Sequence, residues 1–297
     1  MGKIVVIGSS NTDLVIRTPR IPSPGETLIG SDFMINAGGK GANQAVAAAR
    51  MGGDVCFVAC VGDDGFGAEA VRHYAGEGID TSYIVRRNGV ASGVALIAVD
   101  DAAENSIVVA PGANALLSTA DIDAVESEIA AADYLLVQLE IPMETVARVT
   151  ELAVRYGVRV ILNPAPAAPI ADEVLARLDL ITPNRSETEL LTGLKVENVG
   201  DAVAAAAWFR GRGVRRVAVT MGSAGHWWPM SGARSSFRPI VSRLSIRRLP
   251  EMSSTARWPS PSPKGASWEL QHVSPPPRLQ SPVPASAPSV PFRSGAK

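Results

Sequence analysis

The sequence predicts an α/β fold: a mostly parallel central sheet with helices on both faces, a small β lid, and an irregular C-terminal segment. Three observations carry this expectation. Continuous apolar runs such as Lys3-Ile-Val-Val-Ile-Gly8 and residues 55–61 read as strands buried on both faces. Runs of this kind alternate with segments of helical period, and repeated βα units favour parallel pairing with helices on both sides. Short pieces with a period of two and no intervening helix stand apart, as strands of a separate small sheet would.

Composition sets the bounds. A chain of 297 residues accommodates one large α/β domain with a small appendage, or two domains. A formal net charge of −1 gives no electrostatic case for nucleic acid or an anionic membrane as partner. No apolar run approaches the roughly 20 residues of a membrane span. The chain enters a strand at once, so no signal peptide is expected, and a cytoplasmic setting is read from the two cysteines, taken as reduced. Cys56 and Cys60 are the only cysteines. They are spaced to share one face of a strand, where a disulfide is geometrically poor, so they read as reduced core thiols. His73, His226 and His272 have no metal-ligand spacing.

Taken in order, the first strand ends at Gly8 and is followed by Ser9, Ser10, Asn11, Thr12 and Asp13. The carboxyl end of a central strand is where open α/β sheets bind ligands. Asn11 and Asp13 point the same way if the chain stays extended. An amide beside a carboxylate grips vicinal hydroxyls, although an Asx turn accounts for either residue alone. Residues 14–35, around Pro22-Ser-Pro-Gly-Glu26, alternate like strands of a flanking sheet, and residues 83–85, 93–99 and 106–109 have the patterning to pair with them.

The chain then turns through Asn36-Ala37-Gly38-Gly39-Lys40-Gly41-Ala42-Asn43-Gln44. Glycines here let backbone approach backbone or ligand, and an Ala-rich helix is expected from Ala42 to Met51. A glycine turn opening a helix presents free N–H groups and a positive dipole end, with Lys40 as a cation and Asn43 one turn in. Such a site suits a polyhydroxylated or anionic small molecule. The phosphate loop of ordinary NTPases needs Ser or Thr after the Lys, which is absent. Gly62-x-x-Gly65-x-Gly67, after the strand over 55–61, lacks the dinucleotide order of glycines. An NAD-binding oxidoreductase is thereby excluded.

Further strands are expected over 134–139, 159–162, 178–181 and 216–220, and helices over 143–156, 187–191 and 202–210. Glu140 stands at a strand end before Pro142, and Asn163-Pro-Ala-Pro166 breaks the chain at another, both on the ligand side. Pro183 sets a helix entry, where Ser186 with Glu189 reads as a capping box.

Gly-Gly-Lys-Gly-Ala-Asn-Gln-Ala, from Gly38, resembles the sugar-binding signature of the ribokinase group within the phosphofructokinase-B type carbohydrate kinase family. Five segments match this family in the correct order over about residues 1–225. The others are Asn11 to Asp13, Glu140, Thr182-Pro-Asn-x-x-Glu187, and Thr220-x-Gly222-Ser223-x-Gly225. The resemblance implies a ribokinase-like domain over 1–225 whose β lid, at about 14–35 and 83–110, closes over a sugar and excludes water. It implies that Asn11, Asp13, Gly39, Lys40, Gly41, Asn43 and Glu140 hold the sugar. It implies that Asn184, Glu187, Thr220, Gly222, Ser223 and Gly225 lie along ATP, with Mg²⁺ on the phosphates. A monovalent cation, usually K⁺, is also implied, at a loop falling largely beyond residue 225. The implied reaction transfers the γ-phosphoryl of ATP to the 5-hydroxyl of ribose. Fructose or a nucleoside is the alternative acceptor. An exposed lid sheet points to a homodimer in which paired lids cover each other's edges.

The resemblance stops near Gly225. Residues 226–286 become rich in Ser, Pro, Arg and Trp without periodicity, so 226–297 read as an aberrant tail replacing the end of the domain. The family's later Ala-Ala-Gly-Asp supplies an anion hole and the base that takes the proton of the sugar hydroxyl. No Gly-Asp follows Gly200-Asp201, so the chain has no candidate catalytic base, and a non-catalytic sugar-binding remnant is the second functional expectation. Shifting the reading frame by one base lets residues 245–258 decode as Asp-Thr-Thr-Ala-Ala-Gly-Asp-Val-Phe-Asn-Gly-Ala-Leu. Two compensating frame changes, near Gly225 and near Ser286, account for this. A Pro/Ser-rich disordered tail is the competing account of the same composition.

Overall fold

A computed structural model describes residues 2–221 and the backbone of 226–227, all within the first of two units of the chain, Met1–Ser242. The elements run β1 (Lys3–Ile7), β2 (Asn11–Arg17), β3 (Phe33–Gly38), α1 (Lys40–Arg50), β4 (Asp54–Gly62), α2 (Gly65–Gly76), β5 (Ile84–Arg87), β6 (Gly93–Val99) and β7 (Asn105–Ala110). A 3-10 turn (Gly112–Leu116) leads to α3 (Thr119–Asp123), α4 (Glu126–Ala130), β8 (Tyr134–Gln138), α5 (Met143–Tyr156), β9 (Arg159–Asn163) and α6 (Asp172–Leu175). The described chain ends with β10 (Leu180–Ile181), α7 (Arg185–Thr192), α8 (Val199–Arg210), β11 (Arg216–Val217), β12 (Val219–Thr220) and β13 (His226–Trp227).

Seven strands form the central sheet in the order β11-β10-β9-β8-β1-β4-β5, with every pairing parallel. Alternate residues of its middle strands enter two cores. Val5, Ile7, Cys56, Val58 and Cys60 pack with the apolar faces of α5 and α8, whereas Val6, Val55, Phe57 and Ala59 pack with α1 and α2. Both faces of the sheet are therefore helix-covered, as the apolar runs predict. Cys56 and Cys60 are free and buried, and burial pushes their thiols up to about 12 and about 11. Helix ends follow local chemistry. Ser118 and Asn198 open α3 and α8 with capping boxes, and α5 stops at Gly157 in the left-handed region at φ 69°.

A second sheet, β3-β2-β6-β7, stands apart from the first. β2 pairs antiparallel with β3 and parallel with β6, and β6 pairs antiparallel with β7. The structure corrects three expectations here. Residues 83–85 do not join this sheet, because β5 pairs with β4 at the edge of the central one. The lid strand begins at Asn11, so Asn11 and Asp13 belong to the small sheet itself, and α1 begins at Lys40, ahead of Ala42. The segment 216–220 is also two strands. β11 follows β10, while β12 leaves to pair antiparallel with β13. The tail expected over 226–297 lies outside the described residues apart from β13.

Candidate functional site

The site grows from the end of β1. The Ser9 hydroxyl donates to Glu140 Oε2 at 2.5 Å and accepts from the Gly41 N–H at 3.2 Å, while its carbonyl accepts from the Ala42 N–H at 2.9 Å. Glu140, just past β8, accepts from the Lys40 N–H at 2.9 Å and holds Lys40 Nζ at 3.4 Å. The first turn of α1 is thus tied to two neighbouring strand ends. Its glycines make that approach feasible. Gly39 sits at φ +90°, where a Cβ would come within 2.7 Å of the Asn11 nitrogen, and a Cβ on Gly41 would meet the Ser9 nitrogen at 2.5 Å.

Asn11 and Asp13 occupy alternate positions of β2, so extended backbone puts both on one face. Asp13 registers with Ala95 of β6, which registers with Val109 of β7, and Val109 is exposed. The face carrying the carboxylate therefore continues as an apolar underside of the lid. Burial raises the Asp13 pKa, the Glu140 charge raises it further, and Lys40 opposes both. Asp13, Lys40 and Glu140 hence form one interacting charge group.

Beside this group lies a cavity of about 420 Å³, within the range of small-molecule sites. It is lined by Lys40, Asn43 and Gln44 of α1, by Asn163 at the end of β9 with Ala165 just after it, by Thr182 after β10, and by Asn184, Glu187 and Thr220. Asn184 and Glu187 also close the capping box of α7: Asn184 Oδ1 accepts from the Glu187 N–H at 2.8 Å, and Glu187 Oε2 accepts from the Asn184 N–H at 2.8 Å. This corrects the pairing of Ser186 with Glu189, because Asn184 has the extended backbone of an N-cap. Burial raises the Glu187 pKa, opposed by the Asn184 N–H and by Lys40. The Thr220 N–H donates to the Pro183 carbonyl at 2.9 Å, which brings Thr220 beside Asn184.

Gly39, Gly41 and Glu140 thus meet at Ser9, Glu140 joins Lys40 to them, Asn11 and Asp13 follow on β2, and Lys40 and Asn43 line the same cavity as Asn184, Glu187 and Thr220. Gly222, Ser223 and Gly225 lie outside the described residues. Ser9, Gln44 and Thr182 were not expected as site residues, whereas Asn163 and Ala165 belong to the stretch expected on the ligand side. Thr182 had a signal, as the first residue of the Thr-Pro-Asn stretch before a helix. Gln44 had only its place beside Asn43.

Comparison with known proteins gives the family and the fold. The model of the pfkB family carbohydrate kinases matches residues 1–243. A ribokinase of Haemophilus influenzae is 46% identical over 222 residues, which are 75% of this chain and 72% of that one. A deoxyribokinase of Salmonella typhimurium is 40% identical over 226 residues, 76% of this chain and 74% of its own. The structure of Arabidopsis thaliana ribokinase complexed with ribose and ATP superposes with a TM-score of 0.72 at 30% identity, covering 81% of this chain and 78% of that one.

Proposed function

The chain belongs to the pfkB family of carbohydrate kinases, and from that premise we propose that it is an ATP-dependent ribokinase acting on the 5-hydroxyl of ribose. One observation carries the reading: Lys40, held by Glu140 at 3.4 Å beside the ends of β1 and β8, also lines the cavity bounded by Glu187 and Thr220. Asn11, Asp13, Asn43 and Glu140 hold the sugar hydroxyls, helped by the backbone at Gly39 and Gly41, while Lys40 reaches from the sugar toward the phosphates. Asn184, Glu187 and Thr220 lie along ATP, together with Gly222, Ser223 and Gly225. Glu187, Asn184 and Thr220 all line the cavity and all carry side-chain oxygens, the ligand type that suits a hard cation. Mg²⁺ held there would neutralise phosphate charge. The implied K⁺ loop falls beyond the described residues.

In the transfer, the ribose 5-oxygen bonds to the γ-phosphorus as the bond to the bridging oxygen breaks, and ADP leaves with that electron pair. The hydroxyl proton needs an acceptor. No Gly-Asp follows Gly200-Asp201, and this favours a second reading, a domain that binds ribose and ATP with little turnover. The same reading assigns residues 1–225 to the kinase domain and 226–297 to a replaced end.

The outer face of the lid supports a homodimer. Phe33, Ile35, Leu96 and Val108 all lie on the side opposite Asp13 and are exposed. Among the described residues no helix is long and apolar enough to cross a membrane, which is compatible with work in the cytoplasm.

Titration calorimetry with ribose, followed by an ADP-release assay with ribose, 2-deoxyribose, fructose and adenosine, tests this reading. Ribose binding with ribose-dependent ADP release establishes the kinase. Binding without release establishes the remnant, and resequencing codons 220–290 then decides whether a frame change removed the base. No binding of any of the four refutes both.

A further inference from the structure

Asn114, in the 3-10 turn behind the lid, has no part in the charge group or the cavity wall, yet it is only 1% exposed. Its Oδ1 accepts from the Ser10 N–H at 2.8 Å. Its Nδ2 donates to the Ser10 carbonyl at 3.1 Å and to Asn11 Oδ1 at 2.7 Å. Side-chain amides have two orientations that differ only in which end donates, and the surrounding network decides between them. Here the choice is forced. A backbone N–H can only donate and a backbone carbonyl can only accept, so Ser10 fixes both ends of Asn114. Asn114 therefore turns an N–H toward Asn11, and Asn11 must answer with its oxygen.

We propose that Asn114 is a positioning residue that fixes the side-chain amide of Asn11, so that Asn11 meets the sugar as a hydrogen-bond donor through Nδ2. The inference rests on the reading of Asn11 as a sugar-binding residue and adds the polarity of its contact. Asn11 Nδ2 has no hydrogen-bond partner among the described residues. Two further features hold the arrangement. The Ser10 hydroxyl is 2.7 Å from the Tyr74 hydroxyl, which anchors Ser10 from its other side. A Cβ on Gly93 would come within 2.2 Å of both Asn11 Oδ1 and Asn114 Nδ2, so the glycine lets β6 lie directly against the bond between them. A sugar hydroxyl at this point is selected as an acceptor. Its own proton is left for a carboxylate such as Asp13.

Proton NMR of the full chain without ligand tests the orientation directly. The Asn114 side-chain amide protons should exchange slowly with solvent and those of Asn11 rapidly; the reverse pattern overturns the proposal. Asn114→Asp keeps an acceptor for the Ser10 N–H but removes the donor to Asn11, which frees Asn11 to turn over. Calorimetry should then give a ribose Kd about tenfold weaker, the scale of one hydrogen bond to a buried polar group. In an Asn11→Ala background the same change should alter Kd by less than about twofold, because coupled residues are not additive. Equal losses in both backgrounds, or none in either, overturn the positioning role. Correct amide exchange in a chain that binds no ribose refutes the sugar reading, and the donor contact with it.

Discussion

The central sheet and the lid sheet share strand chemistry and differ in what covers them. β4 is buried at every position after its first residue, while β7 is exposed at all of its positions. Phe57 of β4 has no exposed surface and meets Tyr74 edge-to-face at 5.2 Å. Val108 of β7 is 64% exposed. The central sheet is thus stabilised by burial between two helical layers. The lid is held by strand pairing and by its attachment to the strand ends. The difference teaches that the site spans both layers: Lys40 and Glu140 come from elements anchored in the central layer, whereas Asn11 and Asp13 come from the more exposed small sheet.

Mutation can break that contrast. Phe57→Ala should cost about 3–5 kcal/mol in urea unfolding, the range for emptying a fully buried aromatic site. A loss below about 1 kcal/mol would mean that the central core collapses to fill the space. Acidification probes the junction of the two sheets. Because burial raises Asp13 above the ordinary 3.8, the folded chain holds this proton to higher pH than the unfolded one. Charging Asp13 therefore costs stability, a cost absent below the unfolded pKa and fully present once pH has risen past the folded value. Ribose binding has the opposite sign, since the carboxylate accepts only when ionised. Asp13→Asn should raise the melting temperature at neutral pH, and calorimetry across the acid range should find no fall in ribose affinity with the variant where the unsubstituted chain shows one. Retention of that fall would assign it to another group. The smallest effect belongs to the outer lid. Val108→Ser should change monomer unfolding by less than about 0.5 kcal/mol, while sedimentation shows weaker self-association. A stability loss like that of Phe57→Ala would abolish the distinction between the sheets.

The central sheet was legible because a strand buried on both faces is written as an unbroken apolar run, and residues 4–7 and 55–61 are such runs. Strand order was not, since no local pattern states that β1 lies between β4 and β8. Residues 83–85 were misplaced because an edge strand of the large sheet and a lid strand are both half-exposed and look alike. In the site, Lys40 and Asn43 were visible through the glycines that deliver them. Asn114 had no such signal, as the Asn of Pro111-Gly-Ala-Asn114 reads as a turn residue, and its hydrogen bonds run to partners 103 and 104 positions away. The α7 cap was misread by two residues because Asn184 and Ser186 are both good caps, and only backbone conformation separates them.

Only Gly8, Ser9 and Ser10 separate the last residue of β1 from the first of β2, a tether of about 10 Å at full stretch. A hinge this short allows rotation but almost no translation. Asn11 must therefore stay close to the Ser9 hydroxyl however far the tip of the flap swings. Asn11, at its root, would then keep its place beside Ser9, and any displacement would grow toward the far edge of the sheet near Val109.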